Sequence, residues 1–68
     1  MATAYINGRP TQMPSAATDD EIRQAGGISP GRTLIKRERH GNFVIPRGSR
    51  TDVQDGDVFV DSPKRIKG

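Results

Sequence analysis

The stretch that decides the fold is residues 18–27, TDDEIRQAGG, which predicts a single short helix. Thr18 is a good N-cap, and Glu21 three residues later completes a capping box. Acidic residues in the first turn suit the helix dipole, Ile22 and Ala25 form a narrow apolar stripe, and two glycines end the helix. A helix of about two turns is unstable alone in water, so we expect a sheet to support it.

Strand patterns lie on both sides of this helix. Asn-Gly, the strongest short hairpin signal, joins the first two strand segments. Pro10 and Pro14 place the second segment at a sheet edge, because proline cannot donate to a strand ladder. Residues 48–57 predict a polar loop with Val53 as a small apolar plug. The predicted strands are ATAYIN (2–7), RPTQMPS (9–15), RTLIKRER (32–39), NFVIP (42–46) and DVFVDS (57–62).

The order strand, strand, helix, strand, strand, strand predicts an α+β fold, with one helix on one face of a mixed four- to five-stranded sheet. This is the β-grasp arrangement, in which the first and last strands lie side by side and parallel in the middle. The continuously apolar residues 58–60, VFV, suit a central strand. We expect a single domain over residues 1–61 and a flexible C-terminal tail over residues 62–68.

The composition limits the classes of function. The chain has 68 residues, 31% of them hydrophobic and three aromatic, which predicts a small aliphatic core. Such a core leaves no room for the deep cleft of a small-molecule enzyme, so we expect no catalytic residues. Cysteine is absent, which excludes disulfides and thiolate metal sites. We find no signal-peptide pattern and no run approaching the ~20 apolar residues of a membrane span, and we expect a cytoplasmic protein.

The net charge of +3 is unevenly distributed along the chain. Residues 32–50 hold six of the eleven basic residues and a single acid. A nucleic-acid surface would want aromatic stacking partners beside these arginines, and only Phe43 lies near, so nucleic acid is a disfavoured partner. An acidic protein partner and a plain solvated face are the alternatives. The arginines that we expect to share one face of the third and fourth strands are Arg37, Arg39, Arg47 and Arg50.

Two further sets of residues have simple interpretations. His40 is predicted to lie in a solvated hairpin turn, and nothing around it in sequence suggests a catalytic role. The aspartates near the last strand lack the spacing and the closing glutamate of a calcium loop. We therefore expect them to form turns, and we expect neither a metal nor a cofactor. These aspartates are Asp52, Asp55, Asp57 and Asp61.

Alternation along the strands also predicts a partner surface. If Ala4 and Ile6 face the helix, with the two valines of the last strand beside them, the residues in between face away. An exposed apolar cluster there would be a recognition surface. The alternative is that Phe59 or Ile35 closes a second small core under residues 48–56. The residues that this alternation places on the far face are Tyr5, Ile35 and Phe59.

Several short motifs occur in an order that resembles known families. They are YINGRP (5–10), a capped short helix ending in glycine, GNFVIPRGS (41–49) and DGDVFV (55–60). Over residues 4–61 the chain resembles two related β-grasp families. One comprises the small sulfur carriers of thiamine and molybdopterin synthesis. The other comprises the bacterial ubiquitin-like proteins, including the multiubiquitin type.

The resemblance implies a chemistry at the C-terminal carboxylate. In both families an ATP-dependent activating enzyme adenylates this carboxylate, and sulfur then attacks the mixed anhydride. In the ubiquitin-like branch the acyl group passes through thioesters to a target lysine, which gives an isopeptide bond; in the other branch it becomes a thiocarboxylate. The resemblance implies activating and conjugating enzymes as partners, Gly68 as the activated residue, and Lys64, Arg65 and Lys67 as tail recognition residues.

These families usually end in two glycines, whereas Lys67 is the penultimate residue here. This departure counts most against the sulfur-carrier interpretation. The sequence thus predicts a ubiquitin-like protein modifier, with a sulfur carrier as one alternative. A binding module that is not conjugated and uses the arginine-rich face is the other. The lysines able to accept a further copy of the protein are Lys36, Lys64 and Lys67.

Overall fold

A computed structural model describes residues 1–62 of the chain. Gly68, Lys64, Arg65 and Lys67 therefore lie outside the described residues, together with almost all of the predicted tail. Seven strands and one helix follow one another along the described part. They are β1 (Ala2–Ile6), β2 (Arg9–Met13), β3 (Ala16–Thr18), α1 (Asp19–Gly26), β4 (Thr33–Glu38), β5 (Gly41–Val44), β6 (Arg50–Asp52) and β7 (Val58–Ser62).

Five of the strands form one mixed sheet in the order β2-β1-β7-β4-β5. β1 and β7 are parallel neighbours, and the other neighbouring strands are antiparallel. The proline-bearing β2 lies at an edge, as the sequence predicts, and β7 is central. This α+β architecture, a five-stranded mixed sheet with one helix, is compatible with a β-grasp fold.

Local signals set both the first hairpin and the helix. Asn7 and Gly8 both have positive φ, 51° and 83°, which is the geometry that a tight two-residue hairpin requires. Thr18 accepts a hydrogen bond from the Glu21 amide, and Glu21 accepts one from the Thr18 amide, so the predicted capping box is present. Gly27 ends the helix in the left-handed conformation.

The polar loop predicted for residues 48–57 contains a strand, β6. β6 pairs antiparallel with the short β3, and together they form a second, two-stranded sheet. Each strand has three residues, and the two are far apart in sequence, so neither shows a recognisable pattern. Val53 follows β6 and is buried, which confirms its predicted role as a plug.

The core lies between α1 and the large sheet, and it corrects the predicted orientation of β7. Ile6 is paired with Phe59 and Tyr5 with Val58, so Phe59 shares the helix side with Ile6. Phe59 is fully buried, and the prediction that it lies on the far face is wrong. Ala25 is exposed, contrary to the predicted stripe, whereas Ile22 is fully buried.

Glycine is needed at one point of close approach between helix and sheet. A Cβ atom added to Gly26 would lie 2.3 Å from Cγ2 of Ile6. The absence of a side chain at residue 26 therefore lets α1 approach β1 closely.

Over residues 1–62 the structure shows no helix of the length and apolarity that a membrane crossing demands.

Candidate protein-binding surface

Among residues 1–62, no helix packs on one face of the five-stranded sheet, and we call this face the open face. Its central row follows from the strand register: Val60 of β7 is paired with Ile35 of β4, and Ile35 is paired with Val44 of β5. Paired residues project on the same side of a sheet. The apolar residues of the open face are Tyr5, Ile35, Val44, Val58 and Val60.

The open face is apolar and accessible to solvent. Tyr5 is 41% exposed and Val44 is 62% exposed, while Ile35, Val58 and Val60 are half-buried. A cluster of apolar side chains on an uncovered sheet face is typical of an interaction surface. Tyr5 and Ile35 were predicted for such a surface. The three valines were missed, because Val58 and Val60 were assigned to the helix side together with Ile6.

The arginines of the predicted basic face lie at separate places around the sheet. Arg37 is paired with Val58 and Asn42, which puts it on the open face. Arg39 is exposed in the turn between β4 and β5. Arg47 lies beyond the other end of β5 and donates a hydrogen bond to the Pro30 carbonyl. Arg50 is in β6, which belongs to the smaller sheet.

A small cavity lies at the Arg47 end of β5. It has a volume of about 180 Å³ and is lined by the start of β4, by Val44–Arg47 and by Arg23 and Arg32. Arg23 is buried and bonds to Asp19 and to the carbonyls of Ser29 and Arg32. Arg32 uses its Nε for an ion pair with Asp61, and a guanidinium has four further N–H donors.

The pKa of Asp61 is shifted by this environment. Burial alone would raise the pKa, but hydrogen bonds from Arg32 and Asn7, together with the Arg32 charge, outweigh that effect. The Arg32 Nε lies 2.6 Å from Asp61 Oδ2. The pKa of Asp61 is therefore below its ordinary value, and this carboxylate joins β7 to the segment before β4.

Lys36 is enclosed on the helix side of the sheet. Its side chain is 14% exposed, and its Nζ lies 3.4 Å from Asp57 Oδ2 and 3.5 Å from Glu38 Oε2. The same ammonium donates to the Asp52 carbonyl and lies 6.0 Å from the centroid of the Phe59 ring. The amine of Lys36 is thus held by charged and polar partners.

The predicted turn aspartates have structural partners. Asp55 accepts a hydrogen bond from the Thr3 amide, and Asp57 accepts one from the Gln54 amide. These bonds fix the turn before β7 against β1 and so place the central strand. Within residues 1–62, no group of three or more histidine, cysteine, aspartate or glutamate side chains is arranged to hold a metal ion. His40 is exposed in the turn between β4 and β5, which confirms its predicted position.

Comparisons of the chain with protein families, with curated proteins and with solved structures find no match.

Proposed function

We propose that this chain is a ubiquitin-like protein modifier with a β-grasp fold, activated at Gly68 and transferred to a target amine. The observation that carries the proposal is the strand order β2-β1-β7-β4-β5 with a capped helix on one face. In this order the final described strand runs through the centre of the sheet, parallel to β1. The residues that follow Ser62 in sequence thus continue from the central strand of the sheet.

The proposed reaction begins at the Gly68 carboxylate. This carboxylate attacks the α-phosphorus of ATP on the activating enzyme, which gives an acyl adenylate and releases pyrophosphate. A cysteine thiolate of the enzyme then displaces AMP and forms a thioester. Finally a target amine attacks the thioester, forms an amide bond and releases the thiol. A glycine without Cβ suits passage of this terminus through a narrow enzyme channel.

The folded body supplies recognition in this proposal. The open face offers an apolar surface with Tyr5 and Val44 at its sides and Arg37 at one end. An activating enzyme that contacts this face gains from burying these apolar side chains, at about 25 cal/mol per Å². Lys64, Arg65 and Lys67 are proposed to contact the same enzyme along the tail. These assignments rest on the resemblance of residues 4–61 to ubiquitin-like proteins.

Intact mass spectrometry tests the proposal. The protein is purified from its native source to read its C-terminal residue, and then incubated with ATP and an activating enzyme encoded beside its gene. We expect an adenylate and an enzyme thioester with the wild type and with Lys67→Ala, which keeps the terminal glycine. Deletion of Gly68 is expected to abolish both products without changing the fold. The absence of any product dependent on Gly68 would contradict the proposal.

The same spectra distinguish the sulfur-carrier alternative. A carrier accumulates a thiocarboxylate, whose mass differs from that of the free protein by the exchange of one oxygen for sulfur. A modifier instead gives a stable amide to a lysine of another protein. The product that accumulates therefore assigns the chain to one of the two chemistries.

A binding module that is not conjugated is a second candidate, and the exposed apolar residues of the open face favour it. Under this function, Tyr5→Ser and Val44→Ser impair binding to the partner, whereas deletion of Gly68 has no effect. Under the modifier function, both kinds of change impair transfer. Comparison of these variants in one pull-down and conjugation assay separates the two candidates.

A further inference from the structure

β5 is the last strand on one side of the large sheet, and no other strand within residues 1–62 pairs with its outer edge. The hydrogen bond from the Ile45 amide to the Leu34 carbonyl fixes the alternation of the β4–β5 ladder. Residues 43 and 45 consequently direct their backbone groups toward β4, and Asn42 and Val44 direct theirs away from the sheet. The N–H and C=O groups of these two residues are thus available to another strand.

The residues of β5 do little to block such pairing. Natural edge strands are commonly protected by charged residues, by proline or by a covering element. β5, with the sequence GNFV, contains neither a charged residue nor proline, and all four residues are exposed. The opposite edge is different, because β2 begins Arg9-Pro10. Phe43 is 51% exposed and Val44 is 62% exposed, on opposite faces of β5.

Basic residues surround both ends of this edge. Arg37 and Arg39 are exposed near the beginning of β5. Arg47 and Arg32 line the cavity near its end. Two acids lie near these residues: Glu38 shares the Lys36 ammonium with Asp57, and Asp61 is paired with Arg32. An incoming strand would therefore meet the exposed Arg37 and Arg39 at one end, the exposed Arg47 at the other, and apolar side chains in the middle.

We propose that the β5 edge binds an extended acidic segment of a partner protein by strand addition. Backbone hydrogen bonds to Asn42 and Val44 extend the sheet. Apolar side chains of the incoming segment contact Phe43 and Val44. Its carboxylates pair with Arg37 and Arg39 at one end and reach the cavity beside Arg32 and Arg47 at the other.

The charges also argue against a second copy of this chain as the occupant. Antiparallel pairing of two β5 strands would bring Arg39 of one copy toward Arg47 of the other. Like charges placed opposite each other across a strand pair are destabilising. The β5 edge shares Val44 and Arg37 with the open face, but strand addition needs neither ATP nor Gly68, so peptide binding tests it independently of the modifier function.

A labelled peptide tests the proposal directly. The probe is a fluorescein-labelled peptide of about eight residues, which spans roughly 26 Å when extended, with glutamates at both ends and alternating valine and threonine between them. We expect binding by fluorescence anisotropy that weakens with added salt. We also expect amide shift changes in an NMR spectrum concentrated on β5. A matched peptide with glutamine in place of glutamate should bind about tenfold more weakly at low salt.

Variants separate the backbone contribution from the charge contribution. Val44→Pro removes an N–H that points away from β4, so the internal ladder is retained, and we expect about fivefold or greater loss of binding. Val44→Thr keeps this N–H and is the control. Arg39→Glu is expected to cost about tenfold, whereas Arg9→Glu, the same charge change on the opposite edge, should leave binding unchanged.

Four outcomes would overturn the proposal. The first is an absence of binding at millimolar peptide, and the second is binding that Val44→Pro leaves unchanged. The third is equal binding of the glutamine peptide, which would contradict the acidic chemistry. The fourth is self-association, detected by sedimentation and abolished by Val44→Pro, which would identify a second copy as the occupant. NMR spectra of each variant alone confirm that the fold is retained.

Discussion

Asp19 and Arg23, one turn apart on α1, form an ion pair that is almost fully buried. The Arg23 Nε lies 3.3 Å from Asp19 Oδ2, and the side chains are 6% and 3% exposed. Asp19 also accepts a hydrogen bond from the Gly48 amide, and Arg23 donates to the carbonyls of Ser29 and Arg32. The pair therefore joins the helix to the segments on either side of the β4–β5 hairpin.

Arg23→Ala is predicted to be strongly destabilising. The substitution leaves the Asp19 carboxylate buried without its charge partner, and loss of one member of a buried pair costs about 3–5 kcal/mol. A domain of this length has a total stability of about 3–10 kcal/mol, so the loss is a large part of it. Urea denaturation followed by circular dichroism measures the change. Arg23→Lys keeps the charge but not the planar donors, so its free energy of unfolding should lie between those of wild type and Arg23→Ala. Equal stability of Arg23→Ala and wild type would contradict the prediction.

Gly26→Ala is predicted to destabilise the packing of helix against sheet. The added methyl group would lie 2.3 Å from Ile6 Cγ2, in the core. Overpacking of this kind costs about 1–3 kcal/mol, which exceeds the gain in helix propensity. Gly31→Ala is the matched control, because its Cβ would meet no atom within 4 Å, and its stability should stay within about 0.5 kcal/mol of wild type. Thermal denaturation measures the stability of both variants. A Gly26→Ala variant as stable as wild type would contradict the prediction and show that the Ile6 side chain can move aside.

The ion pair between Arg32 and Asp61 predicts a dependence of stability on pH. The pKa of Asp61 is lowered in the folded protein, so the carboxylate stabilises the fold above its ordinary pKa of 3.8. This contribution is lost as the pH falls through the lowered pKa of the folded state. Arg32→Gln should raise the pKa of Asp61, as measured by NMR titration of the side-chain carboxyl carbon. It should also weaken the pH dependence of unfolding below about pH 4. Arg9→Gln on the exposed β2 is the control, and an unchanged titration in Arg32→Gln would refute the assignment.

The sequence predicts those parts of the fold that depend on neighbouring residues. The capping box of Thr18 and Glu21 and the Asn7-Gly8 turn are local structures, because their partners lie within three residues along the chain. The orientation of β7 is different. The pattern Val-Phe-Val is equally apolar on both faces, and a shift of one residue exchanges those faces. Only the pairing of Phe59 with Ile6 settles which side is buried.

Contacts between residues far apart in sequence determine the features of the candidate site that the sequence does not predict. Arg23 would be assigned to the solvent from its charge alone, and its burial depends on carbonyl groups of Ser29 and Arg32 beyond the helix. Val44 becomes part of the open face through its pairing with Ile35, and an edge residue through the position of β5 in the sheet. Neither property is visible in the four letters of β5.

Lys36 is predicted to be a poor acceptor if copies of this protein are joined to one another. Its side chain is 14% exposed, and its amine contacts Asp57, Glu38 and the Asp52 carbonyl. An amine must reach an activated ester in order to attack it, and these three partners hold the Lys36 amine against the protein. Lys36 should therefore be acetylated by an activated ester more slowly in the folded protein than in protein unfolded in urea. Peptide mass spectrometry measures both rates.

Two variants make this last prediction specific. Asp57→Asn keeps an oxygen that can accept the hydrogen bond from the Gln54 amide but removes one of the two ion pairs of Lys36. The Lys36 side chain should then reach solvent more often and be acetylated faster, without unfolding of the protein. Lys36→Arg should leave the formation of linked copies unchanged, provided that the modifier function holds. Rapid acetylation of Lys36 in the folded wild type would show that the ammonium leaves its enclosure readily. Loss of linked copies in Lys36→Arg would instead show that Lys36 is an acceptor and that the conjugating enzyme releases it from its partners. Breaking the contacts of Lys36 with Asp57 and Glu38 would then be the step that limits transfer.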